Sequence, residues 1–373
     1  MASIEKRGDK YVVRYRDDDD TQRSKSFDLS RDAKVFKASI DGGNIPIVSK
    51  MTVATYLREW YAANGSPPLV RPNTAASYKN DIEKHIIPEI GDIVLVNLTR
   101  KRIQAMYNVL ATRERVTNSK TLPPLSAKSI KNIHCTLSQA LSKAVEDGLL
   151  RANPALSTKR PKVVTRPYDA PEIGKFKELL ERIDEESISC AIYSCAFLGS
   201  RRGETLGIFW PVFNETTFEV LICRQLTFNN LTGQIELTNI LKTSKSFRRL
   251  PVPKLLAQKI AAEKIRQKKN RLLYGSQYVK SDFMFVDDLG RPLNPTRITN
   301  AFKRCARDVG LGDMHLHDLR GAFASYLFAN NVDPKTVQEL LGHTTTDFTM
   351  RVYASALSSN KHHAADVVDA ILK

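Results

Sequence analysis

Four consecutive segments between residues 52 and 148 carry the same helix-forming signature, and this constrains the chain more than any other feature. Behind Thr52, the residues Val53, Tyr56, Leu57, Trp60 and Tyr61 recur at i, i+3, i+4, i+7 and i+8, the apolar stripe of an amphipathic helix. Threonine before such a run can cap it by accepting a hydrogen bond from a backbone amide of the first turn. A second run extends from Thr74 to about Ile87, where Pro88 predicts its end. Thr99 begins a third with Ile103, Met106, Tyr107 and Leu110. Ser126 begins a fourth, which passes Ile130, Leu137 and Leu141 to reach Asp147 and Gly148. Helices with one apolar face must bury it, so residues 50–150 are expected to form a four-helix bundle with Tyr56, Trp60 and Tyr107 in its core.

The flanks read differently. In residues 1–45, Tyr11, Val13 and Tyr15 alternate with Val12, Arg14 and Arg16, which predicts a strand with one basic face. Arg23 to Phe27 would complete a hairpin, and Ser30 can cap a helix from Arg31 to about Ile40. The aspartates 17–20 between the strands fit a solvated turn, since consecutive carboxylates point apart and cannot share a metal. Gly42, Gly43 and Pro46 mark a linker. Residues 151–166 hold Lys159, Arg160 and Lys162, two prolines and no acid, so they are expected to bury no apolar area and to run as an extended basic linker.

Residues 167–373 read as one larger domain. Helices are predicted at about Pro171 to Ile183 and, fully apolar, Ile188 to Leu198. Short strands are predicted at Phe218 to Cys223, Gln234 to Leu237, Arg249 to Val252 and Phe283 to Val286. The chain is therefore expected to be α+β and mainly α: a small N-terminal β-ribbon with a helix, a four-helix domain, and a mostly helical domain with a small antiparallel sheet.

Charge narrows the partner. Lys and Arg number 57 against 40 acids, a net charge of +17, and the pI is about 9.6. With no amphipathic basic helix or lipidation signal beside it, that excess predicts nucleic acid rather than membrane. Residues placed to meet phosphates are Arg14 and Arg16 in the N-terminal strand, Arg100, Lys128 and Lys131 at helix starts, and Arg160 and Lys162 in the linker. The five cysteines are scattered through apolar runs without a CxxC, which fits reduced thiols in a cytoplasm. No secretory h-region or spanning run is seen, and the protein is expected to be cytoplasmic.

The chemistry concentrates between His315 and Tyr353. His317 and Arg320 stand three apart in a segment that reads as helix, so both leave one face of it. Asp333 and Pro334 suit the start of another helix, which Gly342 suits as its end, and His343 follows at once. Tyr353 lies in an apolar-spaced run with Phe348, Val352 and Ala356. A tyrosine hydroxyl titrates near ~10, so attack by it on a phosphodiester needs a base and a cationic site for the phosphate. His317 and Arg320 can supply both. His315, His317 and His343 lack a cysteine or further carboxylate at zinc-ligand spacing, and no cluster for Mg²⁺ or P-loop is present. Neither a metal nor another cofactor is expected.

In order and spacing these groups resemble the tyrosine recombinase (phage integrase) family, whose His-x-x-Arg, Leu-Gly-His and nucleophilic Tyr stand here as His317–Arg320, Leu341–His343 and Tyr353. The resemblance implies a second phosphate clamp in the Gly-x-Arg-x-x-Glu motif at Gly199, Arg201 and Glu204, with Arg202 structural. It implies a leaving-group acid at Lys242, with Lys245 the competing choice. His343 would donate to the scissile phosphate and His317 would take the proton of Tyr353. Ser200, and Gly321–Ala322 after the second Arg, depart from the family's commoner residues without removing a reacting group.

The resemblance further implies an arm-binding N-terminal module and a core-binding bundle. It implies action as a homotetramer on double-stranded attachment sites through a 3′-phosphotyrosine. It leaves open a host DNA-bending protein, an excisionase, and whether the helix at Ala364 to Leu372 packs on a neighbour. The rival readings are a type IB topoisomerase and a DNA-binding regulator without catalysis.

Overall fold

The computed structural model describes residues 2–16, 21–41, 50–117, 120–164, 170–239 and 247–342. By its internal contacts the chain forms two compact units, Met1–Val164 and Thr165–Lys373. Mainly helical elements with small antiparallel sheets make up both, as the α+β reading expected.

In the first unit, β1 (Ser3–Arg7), β2 (Lys10–Arg16) and β3 (Gln22–Phe27) form an antiparallel sheet with β2 central, and α1 (Ser30–Asp41) packs on it. Val13 and Tyr15 point to the shared core with Ala33 and Ile40. Strand β1 was not foreseen, because its five residues are largely exposed and show no apolar alternation.

The bundle follows in α2 (Val53–Trp60), α3 (Pro72–Asp81), α4 (Ile87–Ile90), α5 (Arg100–Thr112) and α6 (Ala127–Glu146). Thr52, Thr99 and Ser126 cap α2, α5 and α6, each accepting from a first-turn amide. Tyr56, Trp60 and Tyr107 are core residues, and the Tyr56 hydroxyl donates to the Ala140 carbonyl at 2.7 Å.

Three expectations change here. The second helix starts at Pro72 and does not stop at Pro88: a wider turn at Ile82–Ile86 hands over to α4, whose first turn tolerates a proline because that amide needs no partner. Between α5 and α6 a short hairpin, β4 (Arg115–Thr117) and β5 (Lys120–Leu122), was not read from the sequence.

The basic linker also differs in its first half. Ala155 and Thr158 are buried, Asn153 donates to the Ser138 carbonyl at 2.8 Å, and the Gln104 amide holds the Lys159 backbone by two hydrogen bonds of 2.8 and 3.0 Å. Small and amide side chains dock this stretch where large apolar ones are missing.

The second unit contains α7 (Ile173–Asp184), α8 (Ser189–Leu198), buried except at Ser189 and Phe197, and the short α9 (Arg202–Leu206). Strands β6 (Phe213–Asn214), β7 (Glu219–Ile222), β8 (Arg224–Phe228), β9 (Ile235–Asn239) and β10 (Arg248–Pro251) follow. They form a three-stranded sheet in the order β10-β7-β6 and a separate β8-β9 hairpin. Then come α10 (Lys254–Tyr274), α11 (Pro295–Asp308), α12 (Asp318–Ala329) and α13 (Pro334–Leu341). Phe283 and Val286 make isolated bridges instead of the predicted strand.

Cys190, Cys195 and Cys305 are buried, but Cys135 faces solvent between buried His134 and Thr136 on α6, where helical periodicity turns it outward. Among the described residues no helix is long and apolar enough to cross a membrane, and no group of three His, Cys, Asp or Glu can hold a metal ion.

Candidate active site

The site begins where α8 ends. Gly199 turns the chain with φ +57°, and a Cβ there would lie 2.5 Å from a Phe323 ring carbon and 2.9 Å from a Leu341 methyl, so only glycine fits. This turn leaves the Gly199 carbonyl to accept from Arg320 Nη1 at 2.7 Å. Ser200 is buried and shares a 2.6 Å hydrogen bond with the Thr205 hydroxyl, so its polarity is satisfied inside the protein.

Arg201 stands at the N-cap of α9, and Glu204 turns back on it. The Arg201 amide donates to Glu204 Oε2 at 3.0 Å, and its Nη1 donates to Oε1 at 2.6 Å. Glu204 is 1% exposed, whereas the Arg201 side chain remains 42% exposed. A third arginine completes the group: Arg248 of β10, buried, donates from Nη2 to Glu204 Oε2 at 2.8 Å and from Nε to the Leu340 carbonyl at 2.7 Å. Arg202 turns elsewhere, donating to Thr299 Oγ1 at 2.7 Å and to the Pro295 carbonyl.

Arg320, 2% exposed, is held by carbonyls at both ends of its fork: Gly199 through Nη1, and Leu341, at the end of α13, through Nη2 at 2.5 Å. Two guanidinium groups thus hold one carboxylate, and the third, Arg320, sits on backbone carbonyls close by, an excess of positive charge suited to an anion.

The titrations follow from this packing. Burial, and then the charge of Arg201, push the Arg320 guanidinium down to about 9, so it stays protonated at neutral pH. Burial alone would raise the Glu204 carboxyl, but Arg248 first and Arg201 next outweigh it and hold it below the usual carboxylate range.

His317 occupies the N-cap of α12, one turn before Arg320, whose amide donates to the His317 carbonyl at 3.2 Å. Crowding by the protein, then the charges of Arg320 and Arg201, lower its pKa against an opposing effect of Asp318. The residue nevertheless remains exposed to solvent. A neutral imidazole is the form that can accept a proton. His315 is engaged differently: its amide donates to Asp318 Oδ2 at 2.7 Å.

Of the sequence-derived set, then, Arg201, His317 and Arg320 come together around Glu204. Lys242, its competitor Lys245, His343 and Tyr353 lie outside the described residues, as does the segment Ala364 to Leu372. Arg248 is the member that sequence reasoning passed over as part of a basic turn. The available signal was strand alternation, which buries Arg248 and Leu250 and exposes Arg249 and Pro251.

The proposed phosphate-contacting residues of the first unit are spread out. Arg14 pairs with Glu5 at 3.1 Å, and Arg16 is exposed at the end of β2. Arg100 opens α5, a helix of 13 residues and about 20 Å, while Lys128 and Lys131 open α6 near the other end of α5, where the Leu125 amide meets the Leu110 carbonyl. Arg160 and Lys162 are exposed, Arg160 next to the Lys159 backbone that Gln104 clamps, one turn from Arg100.

Comparison with known proteins gives the family of the chain. Residues 214–359 match the phage integrase family, and residues 52–111 match the N-terminal SAM-like domain of phage integrases, together more than half of the chain. A tyrosine recombinase XerC-like protein of Caldanaerobacter subterraneus subsp. tengcongensis is 26% identical over 319 residues, covering 80% of this chain and 78% of that one. Among solved structures, the Tn1549 transposon integrase in complex with transposon right end DNA has a TM-score of 0.67 at 18% identity, over 84% of this chain and 100% of that one. A lambda integrase tetramer bound to a Holliday junction has a TM-score of 0.57 at 18% identity, over 93% and 96%. The chain belongs to the phage integrase family, a family of tyrosine site-specific recombinases.

Proposed function

We propose that this protein cleaves and rejoins double-stranded DNA at the attachment sites of a phage or mobile element, integrating or excising it. The phenol oxygen of Tyr353 attacks the scissile phosphorus, a 3′-phosphotyrosyl bond forms, and the bond to the 5′ oxygen breaks. His317 takes the phenol proton and Lys242 protonates the departing 5′ oxygen. Arg201, Arg320 and His343 hold the non-bridging oxygens, where charge accumulates. Attack by a 5′ hydroxyl reverses the sequence, so no nucleotide cofactor is consumed.

The observation that carries the reading is the buried carboxylate Glu204 held by Arg201 and Arg248, with the buried Arg320 close by and His317 one turn before Arg320. In this reading residues 1–45 bind arm-type sites, residues 50–150 clamp the core site, 151–166 link them along DNA, and 167–373 perform catalysis. The protein acts as a homotetramer across two duplexes, at the nucleoid of a bacterial host, with a host bending protein and an excisionase as partners. The Tn1549 integrase in complex with transposon right end DNA and the lambda integrase tetramer bound to a Holliday junction support the DNA-bound tetramer of this reading.

Covalent trapping on nicked DNA carrying the element's own ends tests the reading. Wild type should give a denaturation-resistant adduct and Tyr353→Phe none. Tight binding without an adduct in wild type would remove the assignment.

A further inference from the structure

The strand that carries Arg248 brings to the site a charge that none of the steps above uses. Its guanidinium reaches two places at once: Nη2 donates to Glu204 Oε2 at 2.8 Å, and Nε to the Leu340 carbonyl at 2.7 Å. The next carbonyl, Leu341, accepts from Arg320. Two arginines thus grip consecutive carbonyls at the end of α13, where carbonyls lack helical partners and the helix dipole is negative. Gly342 then turns with φ +65° and leads in sequence to His343. On the other side Glu204 passes the constraint to Arg201, binding both its amide and its Nη1.

We infer that Arg248 is a positioning residue for strand cleavage: by bridging Glu204 and Leu340 it fixes the orientation of Arg201 and the end of α13 relative to each other. The inference rests on the reading that this is the cleavage site. Without Arg248, Glu204 would keep one guanidinium partner, and that one is part-exposed. A lysine could not replace it fully, since a single ammonium lacks the planar fork that serves two acceptors in fixed directions. Among the described residues, the ionisable groups that act on Glu204 are Arg201 on its own turn, Arg248 from β10, Arg320 from α12, His317 at the N-cap of α12, and Cys195 from α8.

The test is the single-turnover cleavage rate on nicked attachment-site DNA at saturating protein, from pH 5.5 to 8, with Kd measured alongside. Arg248→Gln should slow cleavage roughly 10- to 100-fold, the scale of a small misplacement of reacting groups, with Kd within about twofold of wild type. Arg248→Lys should restore part of the rate. In a Glu204→Gln background, Arg248→Gln should cost less than it does alone.

A rate within about threefold of wild type, or a loss confined to Kd, would overturn the assignment. Should Arg248→Gln not fold, Arg248→Lys decides: a wild-type rate refutes the positioning role, and a lowered rate at unchanged Kd upholds it. Wild type that neither cleaves nor forms an adduct refutes the activity and this inference together, whereas an active wild type with an indifferent Arg248→Gln refutes the inference alone.

Discussion

Each unit of the protein buries a carboxylate, Asp81 in the first and Glu204 in the second, and these two behave in opposite ways. In the bundle, Asp81 ends α3 at 6% exposure and accepts a single 2.8 Å hydrogen bond from the Thr136 hydroxyl. Burial raises its pKa, and the hydroxyl only partly offsets this. In the second unit Glu204 is more deeply buried, yet its pKa is lowered, because Arg248 and Arg201 more than repay the same desolvation. Depth does not set the ionisation of a buried acid; the charge of its partners does. The bundle keeps its interior near neutrality, with apolar stripes and hydroxyl or amide contacts. The second unit retains a charged interior at the candidate site.

Removing the Glu204 charge should give the largest effect. Glu204→Gln leaves Arg248 buried without its counterion, a change that typically costs about 3–5 kcal/mol. Urea unfolding at pH 7 should show that loss. Because the folded carboxyl titrates below its unfolded value near ~4.3, its contribution is complete above that value and disappears as pH falls through the folded one. The gap between wild type and variant should therefore stay constant from pH 6 to 8 and narrow below about pH 4. A gap that widens on acidification would mean that the arginines do not hold the carboxylate ionised.

The parts of this contrast that could be read from sequence are the local ones. The Thr52, Thr99 and Ser126 caps, the apolar stripes and the α13 boundaries between Asp333 and Gly342 depend on residues within a turn of each other. Arg201, Glu204, His317 and Arg320 were legible as a motif. Their settings were not, since Arg248 meets Glu204 across 44 residues and Arg320 meets the Gly199 carbonyl across 121. Spacing cannot show that one arginine lies buried on two carbonyls while another stays half open. The hairpin of β4 and β5 escaped for a different reason: strands of three residues, rich in charge and hydroxyls, lack the alternation that marks a strand.

On the bundle side the middle-sized effect belongs to Thr136. Thr136→Val keeps the shape of this 2% exposed side chain and removes the hydroxyl that serves Asp81. A buried carboxylate left without its donor should cost about 1–3 kcal/mol at pH 7. Thermal unfolding at two pH values measures it, and the cost should shrink as acid protonates Asp81. A cost equal at pH 4 and pH 7 would show that the loss comes from packing alone.

Asp81→Asn should have the smallest effect, and the opposite sign from Glu204→Gln. A carboxyl whose folded pKa is raised contributes stability that is present below its unfolded value near ~3.9 and lost as pH rises through the folded one, so at pH 7 its charge is a burden. Asparagine keeps an oxygen to accept from Thr136 and carries no charge to desolvate, and its amide can reach polar backbone nearby. The expected change is a gain of no more than about 1 kcal/mol at pH 7 that fades on acidification. The same acid-to-amide exchange would then strengthen one buried site and break the other, with partner charge as the deciding difference between them. A loss at Asp81 matching that at Glu204 would show that Asp81 too has a cationic partner, and that the bundle interior is not the neutral one its contacts describe.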